Sequence, residues 1–81
     1  MSIIEALYFI IRMKYIETGF DVDKTSRFLI NNFGYKTLIL LNTFIVFLRD
    51  FELKKEIGEC INSAIINYHY VENIKGIEKT N

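Results

Sequence analysis

The stretch Thr37-Leu-Ile-Leu-Leu-Asn-Thr-Phe-Ile-Val-Phe-Leu48 decides how the chain is read. Apart from Asn42 and Thr43, it is apolar throughout if Thr37 is counted for its methyl group. Such a run fits a membrane span, a buried strand or a core helix. A spanning helix needs about 20 apolar residues. The run 38–48 is 11 residues long, nine of them apolar, before Arg49 and Asp50. A half-buried strand would alternate polar and apolar side chains, and this stretch does not. Instead Lys36, Thr43 and Asp50 recur every seven residues, with Asn42 and Arg49 beside them. That spacing draws one thin polar stripe along a helix. The stretch is therefore read as a core helix, helix 3, over residues 36–50.

Working outward, Ser2-Ile-Ile-Glu5 has the spacing of a capping box, in which a serine hydroxyl accepts from the amide three residues on. It opens helix 1, expected over residues 3–17 and closed by Gly19. Helix 1 is apolar nearly all round: Glu5 and Arg12, seven apart, mark its polar edge. Helix 2 is expected over residues 24–32, capped by Asp23 in preference to Asp21, with Phe28, Leu29 and Val22 turned inward. Asn31-Asn-Phe-Gly34 stops it. In helix 4, expected over residues 52–75, Leu53, Ile57, Cys60, Ala64, Asn67, Val71 and Ile74 step by four and three, opposite Glu52, Lys55, Glu56 and Glu59. Gly58 is a weak point in it and Gly76 its expected end. The fold class is thus all-α: one domain over residues 1–81, a small bundle of about four helices.

Composition narrows function more than it names it. The chain is 51% hydrophobic with a mean hydropathy of +0.18, high for 81 residues, since small domains have proportionally more surface to cover. Ten basic and ten acidic residues cancel. Without a basic excess the simplest electrostatic case for nucleic acid is missing, and no net charge keeps copies apart. The N-terminal run carries Glu5 and no preceding basic residue, so it is not read as a signal peptide. A single cysteine forms no intrachain disulfide and suits a reducing compartment, so a cytoplasmic location is expected. The proline-free, isoleucine- and asparagine-rich composition suits an AT-rich viral or plasmid coding sequence.

No constellation for catalysis is legible, and an enzyme is not expected. His69, between Tyr68 and Tyr70, has no spaced partner and reads as a surface residue. His69 and Cys60 alone cannot hold zinc, which takes four ligands or three and a water; Cys60 reads as a small buried hydrophobe. No metal, cofactor or small-molecule substrate is expected.

Packing supplies the positive reading. A helix that is apolar all round needs neighbours on several sides. Two such helices cannot both be central in a bundle this small, so helix 1 or helix 3 should leave apolar surface uncovered. Monomers rarely leave large contiguous apolar patches bare. The expected function is a small non-enzymatic interaction protein, a regulator or inhibitor, that docks an apolar helical surface onto a protein partner or a second copy. The residues assigned to that surface are Tyr8, Ile11 and Tyr15 on helix 1, and Phe44, Phe47 and Phe51 around helix 3. One alternative is a helix-turn-helix DNA-binding regulator made from helices 2 and 3, with Lys24, Arg27 and Lys36 on phosphates. Another is attachment at a membrane interface, disfavoured for want of a basic polar face.

Overall fold

The computed structural model describes residues 2–49 and 51–80, with side chains described as far as Tyr70. Four α-helices follow one another: α1 (Ile3–Glu17), α2 (Val22–Asn32), α3 (Tyr35–Phe44) and α4 (Lys54–Thr80), with one 3₁₀ turn (Ile45–Phe47) after α3. There is no strand among the described residues. The all-α bundle expected from the sequence is the fold that forms.

Local chemistry accounts for the start of α1. The Ser2 hydroxyl accepts from the Glu5 amide at 3.2 Å. It also donates to the Glu5 carboxylate at 3.3 Å, so the return contact of the expected capping box goes to the hydroxyl, not to the Ser2 amide. The end of α1 is a full Schellman closure. Gly19 N–H donates to the Ile16 carbonyl at 3.0 Å and Phe20 N–H to the Tyr15 carbonyl at 2.9 Å, satisfying two carbonyls that the helix leaves free. Gly19 takes φ +77, a conformation that costs glycine nothing. Phe20 follows it into the left-handed region at φ 63 and meets Tyr15 edge-on, ring centroids 5.6 Å apart. That aromatic contact is the hydrophobic clasp of the motif and offsets the left-handed cost.

Asp21, not Asp23, caps α2: its carboxylate accepts from Lys24 N–H at 3.0 Å. The helix therefore begins two residues earlier than expected. Thr18 decides this. Its hydroxyl accepts from Asp21 N–H at 3.3 Å, donates to the Tyr15 carbonyl at 2.8 Å and lies 3.2 Å from the Thr25 hydroxyl. The chain is held through Asp21, which leaves Asp23 exposed in the first turn.

Expected and observed structure part most in the quoted stretch. The α-helix stops at Phe44, tightens into the 3₁₀ turn and becomes extended at Leu48; the helix expected to reach residue 50 ends six residues earlier. Thr43 Oγ1 bonds back to the Ile39 carbonyl at 2.9 Å, which weakens a helix slightly. The β-branched pair Ile45-Val46 adds little helical propensity. The larger reason is tertiary. Lys54 Nζ, at the start of α4, donates to the carbonyls of Leu48 (2.6 Å) and Val46 (3.1 Å), while His69 and Tyr68 meet Tyr35 at the start of α3. The two helices are therefore antiparallel, and the chain must reverse between them. Asp50, the third residue of the expected polar stripe, lies outside the described residues.

Helix α4 begins at Lys54, after Leu53 at φ 61, and runs through Gly58 and Gly76 to Thr80. Gly76 does not end it: glycine inside a helix costs only about 1 kcal/mol and permits a stop without enforcing one. Val71 and Ile74, expected in the core, lie past the described side chains.

The most extensive packing belongs to α4 and not to α1 or α3: it lies chiefly on α2 and then on α3, while α1 touches all three other helices more lightly. From α4, Ile57, Cys60, Ile61 and Ala64 meet Tyr8, Ile11 and Tyr15 of α1, Leu29 of α2, and Leu38, Leu41 and Ile45 of α3 in one core. Small side chains let α2 lie close on it: Thr25 and Ser26 are buried, and Ser63 Oγ reaches Ser26 Oγ at 3.3 Å. The sequence reading assigned neither residue to the core.

Candidate interaction surface

Helix α1 packs one stripe on α2 and α4, and α3 packs one stripe chiefly on α4, so each leaves the opposite stripe in solvent. On α3 the exposed positions are Lys36, Ile39, Leu40, Asn42, Thr43 and Phe44, continued by Val46 and Phe47 in the 3₁₀ turn. Steps of three and four place all of the α3 positions but Asn42 on one helix face. Phe44 is 45% and Phe47 71% exposed, with ring centroids 6.1 Å apart. At the other end, Tyr35, Lys36, Ile39 and Leu40 line a shallow depression of about 380 Å³. On α1 the exposed apolar side chains are Ile3, Ile10, Met13 and Ile16.

The residues first assigned to the surface divide sharply. Phe44 and Phe47 stand in solvent as expected. Tyr8, Ile11 and Tyr15 do not: they are 1%, 0% and 6% exposed and form the α1 contribution to the core. The faces of helix 1 were expected the wrong way round. Arg12 was taken to mark the wet edge, but its side chain folds onto Glu52 with an N–O distance of 2.8 Å and is only 29% exposed. The spacing 8, 11, 15 is that of a packing seam, but Ile10, Met13 and Ile16 repeat at helical steps as well, so spacing alone does not mark the buried face. Phe51 is half-buried, its ring centroid 5.1 Å from that of Tyr8 and 5.4 Å from that of Phe9. It holds the turn before α4 against α1. Leu40, Val46, Ile10, Met13 and Ile16 belong to the exposed apolar surface and were not assigned to it.

Lys24, Arg27 and Lys36, the residues of the DNA-binding alternative, are all exposed. The outward face of α3 between Lys36 and Phe47 nevertheless carries only Asn42 and Thr43 as polar side chains, whereas base reading needs a row of hydrogen-bonding groups. No described helix is long and apolar enough to cross a membrane.

The groups with chemistry are placed for structure. Cys60 is fully buried, and burial pushes its thiol up to about 11, against a smaller opposing effect from the Thr25 hydroxyl. A thiol held protonated is a poor nucleophile at neutral pH. Burial likewise raises the phenols of Tyr8 and Tyr15. His69 is exposed, with Nε2 2.8 Å from the Tyr35 hydroxyl. That contact fastens the start of α3 to α4. No three His, Cys, Asp or Glu side chains converge on a metal-sized site among the described residues.

Compared with known protein families, with curated proteins and with solved structures, the chain matches none.

Proposed function

We propose that this chain is a small non-enzymatic interaction protein that associates, in the first place with copies of itself, through the exposed apolar face of α3 and the 3₁₀ turn. The observation that carries the reading is the run Leu40, Phe44, Val46 and Phe47, four large apolar side chains left in solvent along α3 and the turn that continues it. Covering a large apolar side chain is worth about 1.5–3 kcal/mol when its burial is complete, so partial burial of several of them is enough to drive association. The neutral net charge adds no repulsion between copies. The size and lack of catalytic groups fit a regulator or inhibitor that works by occupancy. The helix-turn-helix reading has less support, since the same face would have to read bases with apolar side chains.

Light scattering of the purified chain at micromolar concentration tests this. The wild type is expected to be heavier than a monomer, and Leu40→Glu/Phe47→Glu to return it to monomer with its helical circular dichroism retained. A monodisperse wild-type monomer without detergent overturns the proposal.

A further inference from the structure

We infer that the contact between copies is heterologous: the outer stripe of α1 from one copy lies antiparallel on the outer stripe of α3 from the next. The inference rests on the self-associating reading above and specifies its geometry.

Charge selects the pairing. On α3 and the turn after it, the exposed charged residues are Lys36 and Arg49, one beyond each end of the apolar run. The sequence has no acidic residue between Asp23 and Asp50. On α1 the exposed charged residue is Glu17, and Glu5 is half-exposed near the opposite end. Arg12 is engaged with Glu52 at 2.8 Å, and Lys14 lies over the Phe28 ring at 5.0 Å and meets Glu17 at 3.4 Å, an exposed contact that leaves the Glu17 side chain 70% exposed. Packing α3 on α3 of a second copy sets Lys36 against Lys36 or against Arg49, and packing α1 on α1 sets glutamates together. Like charges at matched positions disfavour both. Only α1 on α3 brings opposite signs together at both ends.

Length agrees. From Glu5 to Glu17 a helix rises ~18 Å at 1.5 Å per residue. From Lys36 through the 3₁₀ turn to Phe47 the chain also rises ~18 Å, at 1.5 and then 2.0 Å per residue, so the two apolar stripes match in length, with Arg49 two residues farther on past the extended Leu48. The antiparallel sense puts Glu17 opposite Lys36 and Glu5 towards the Phe47–Arg49 end, and it opposes the two helix dipoles, whose ends attract when helices run in opposite directions. Between the charges, the aliphatic Ile10, Met13 and Ile16 would cover Leu40, Phe44 and Phe47, with the flexible methionine adapting to the rings. Such a contact uses two different patches, so each copy both gives and receives.

Mixing decides the matter. Ile10→Glu/Met13→Glu removes the α1 stripe and Leu40→Glu/Phe47→Glu removes the α3 stripe. Each variant alone is expected to be monomeric by sedimentation velocity, with self-association at least tenfold weaker than wild type and helical circular dichroism retained. Mixed in equal amounts they should form a heterodimer, because each supplies the face that the other lacks. If the α1 variant still associates while the α3 variant does not, and mixing rescues nothing, the contact is α3 on α3: this inference falls and the broader reading stands. If the wild type is itself monomeric, the broader reading falls. Charge reversal provides a second test in a chain with both stripes intact. Lys36→Glu or Glu17→Lys alone should weaken association about two- to fivefold, the range of exposed ion pairs, and both together should restore it. A double variant weaker than either single variant overturns the assigned register.

Discussion

The phenol of Tyr8, buried on α1, donates its hydrogen bond to the backbone carbonyl of Glu52, in the turn before α4. One side chain thereby joins elements 44 residues apart in sequence. Around the bond the rings of Tyr8, Phe9 and Phe51 stack edge-on or tilted at 5.1–5.7 Å, and Arg12 closes on the Glu52 carboxylate. This junction holds Leu53 at its positive φ, a conformation costing a leucine roughly 1–2 kcal/mol. It also fixes where α4 begins.

Removing only the hydroxyl should therefore be felt. Tyr8→Phe is expected to cost about 1 kcal/mol, since the ring stays and one part-buried hydrogen bond is lost. Tyr8→Ala removes the ring as well and should cost ~3–5 kcal/mol, much of the stability of a domain this small. Urea denaturation followed by circular dichroism measures both. Equal costs for the two variants would show that the hydrogen bond, not the ring, dominates.

The two acidic residues before α2 should behave differently. Asp21→Ala is expected to cost about 1 kcal/mol, the worth of an N-cap, or ~4–8 °C in Tm for a domain of this size. Asp23→Ala removes an exposed first-turn charge with a dipole contribution of about 0.3–1 kcal/mol at low salt. Thermal melts in 0.5 M salt sharpen the contrast, because screening suppresses the second effect and spares most of the first. A larger loss at Asp23 would contradict the capping assignment.

Alkaline pH should destabilise the fold through Cys60. Its folded-state value of about 11 lies above the ordinary thiol value of 9.0. The folded state therefore retains a proton that the unfolded chain releases. The stabilisation linked to it is fully present below pH 9 and is lost as pH rises towards 11. Tyr8 and Tyr15, raised from 10.0, act in the same direction at still higher pH. Denaturation midpoints between pH 8 and 11 should fall in the wild type and fall less steeply in Cys60→Ala. In the folded protein at pH 8, alkylation of Cys60 should be far slower than in the unfolded chain, since both access and thiolate are lacking. Prompt labelling would show that α2 opens readily from α4.

Acidic substitutions on the two faces of α1 should separate core from surface. Ile11→Glu sets a carboxylate at a fully buried position and should abolish the cooperative helical transition. Met13→Glu, at a position 68% exposed, should change stability by no more than about 0.5 kcal/mol. Thermal circular dichroism under conditions where the protein is monomeric keeps association out of the comparison.

The sequence by itself determined the helical class, the cap at Ser2, the left-handed stop at Gly19, and the α4 core stripe of Ile57, Cys60 and Ala64. These depend on local spacing and backbone preference, which a few neighbouring residues carry. It also determined that apolar side chains would outnumber the places to bury them. Which ones stay outside was decided only by tertiary structure. Helix α1 has apolar residues on nearly every side, so periodicity could not tell the Tyr8–Ile11–Tyr15 seam from the Ile10–Met13–Ile16 stripe. The choice depends on Arg12 finding Glu52, and Tyr8 finding the Glu52 carbonyl, across most of the chain. The run from Thr37 to Leu48 likewise reads as a continuing helix, since Thr43 and the Ile45-Val46 pair weaken it only slightly. It is broken because α4 must turn back to pack against α3, with Lys54 binding the carbonyls freed at the break. That demand comes from the core as a whole.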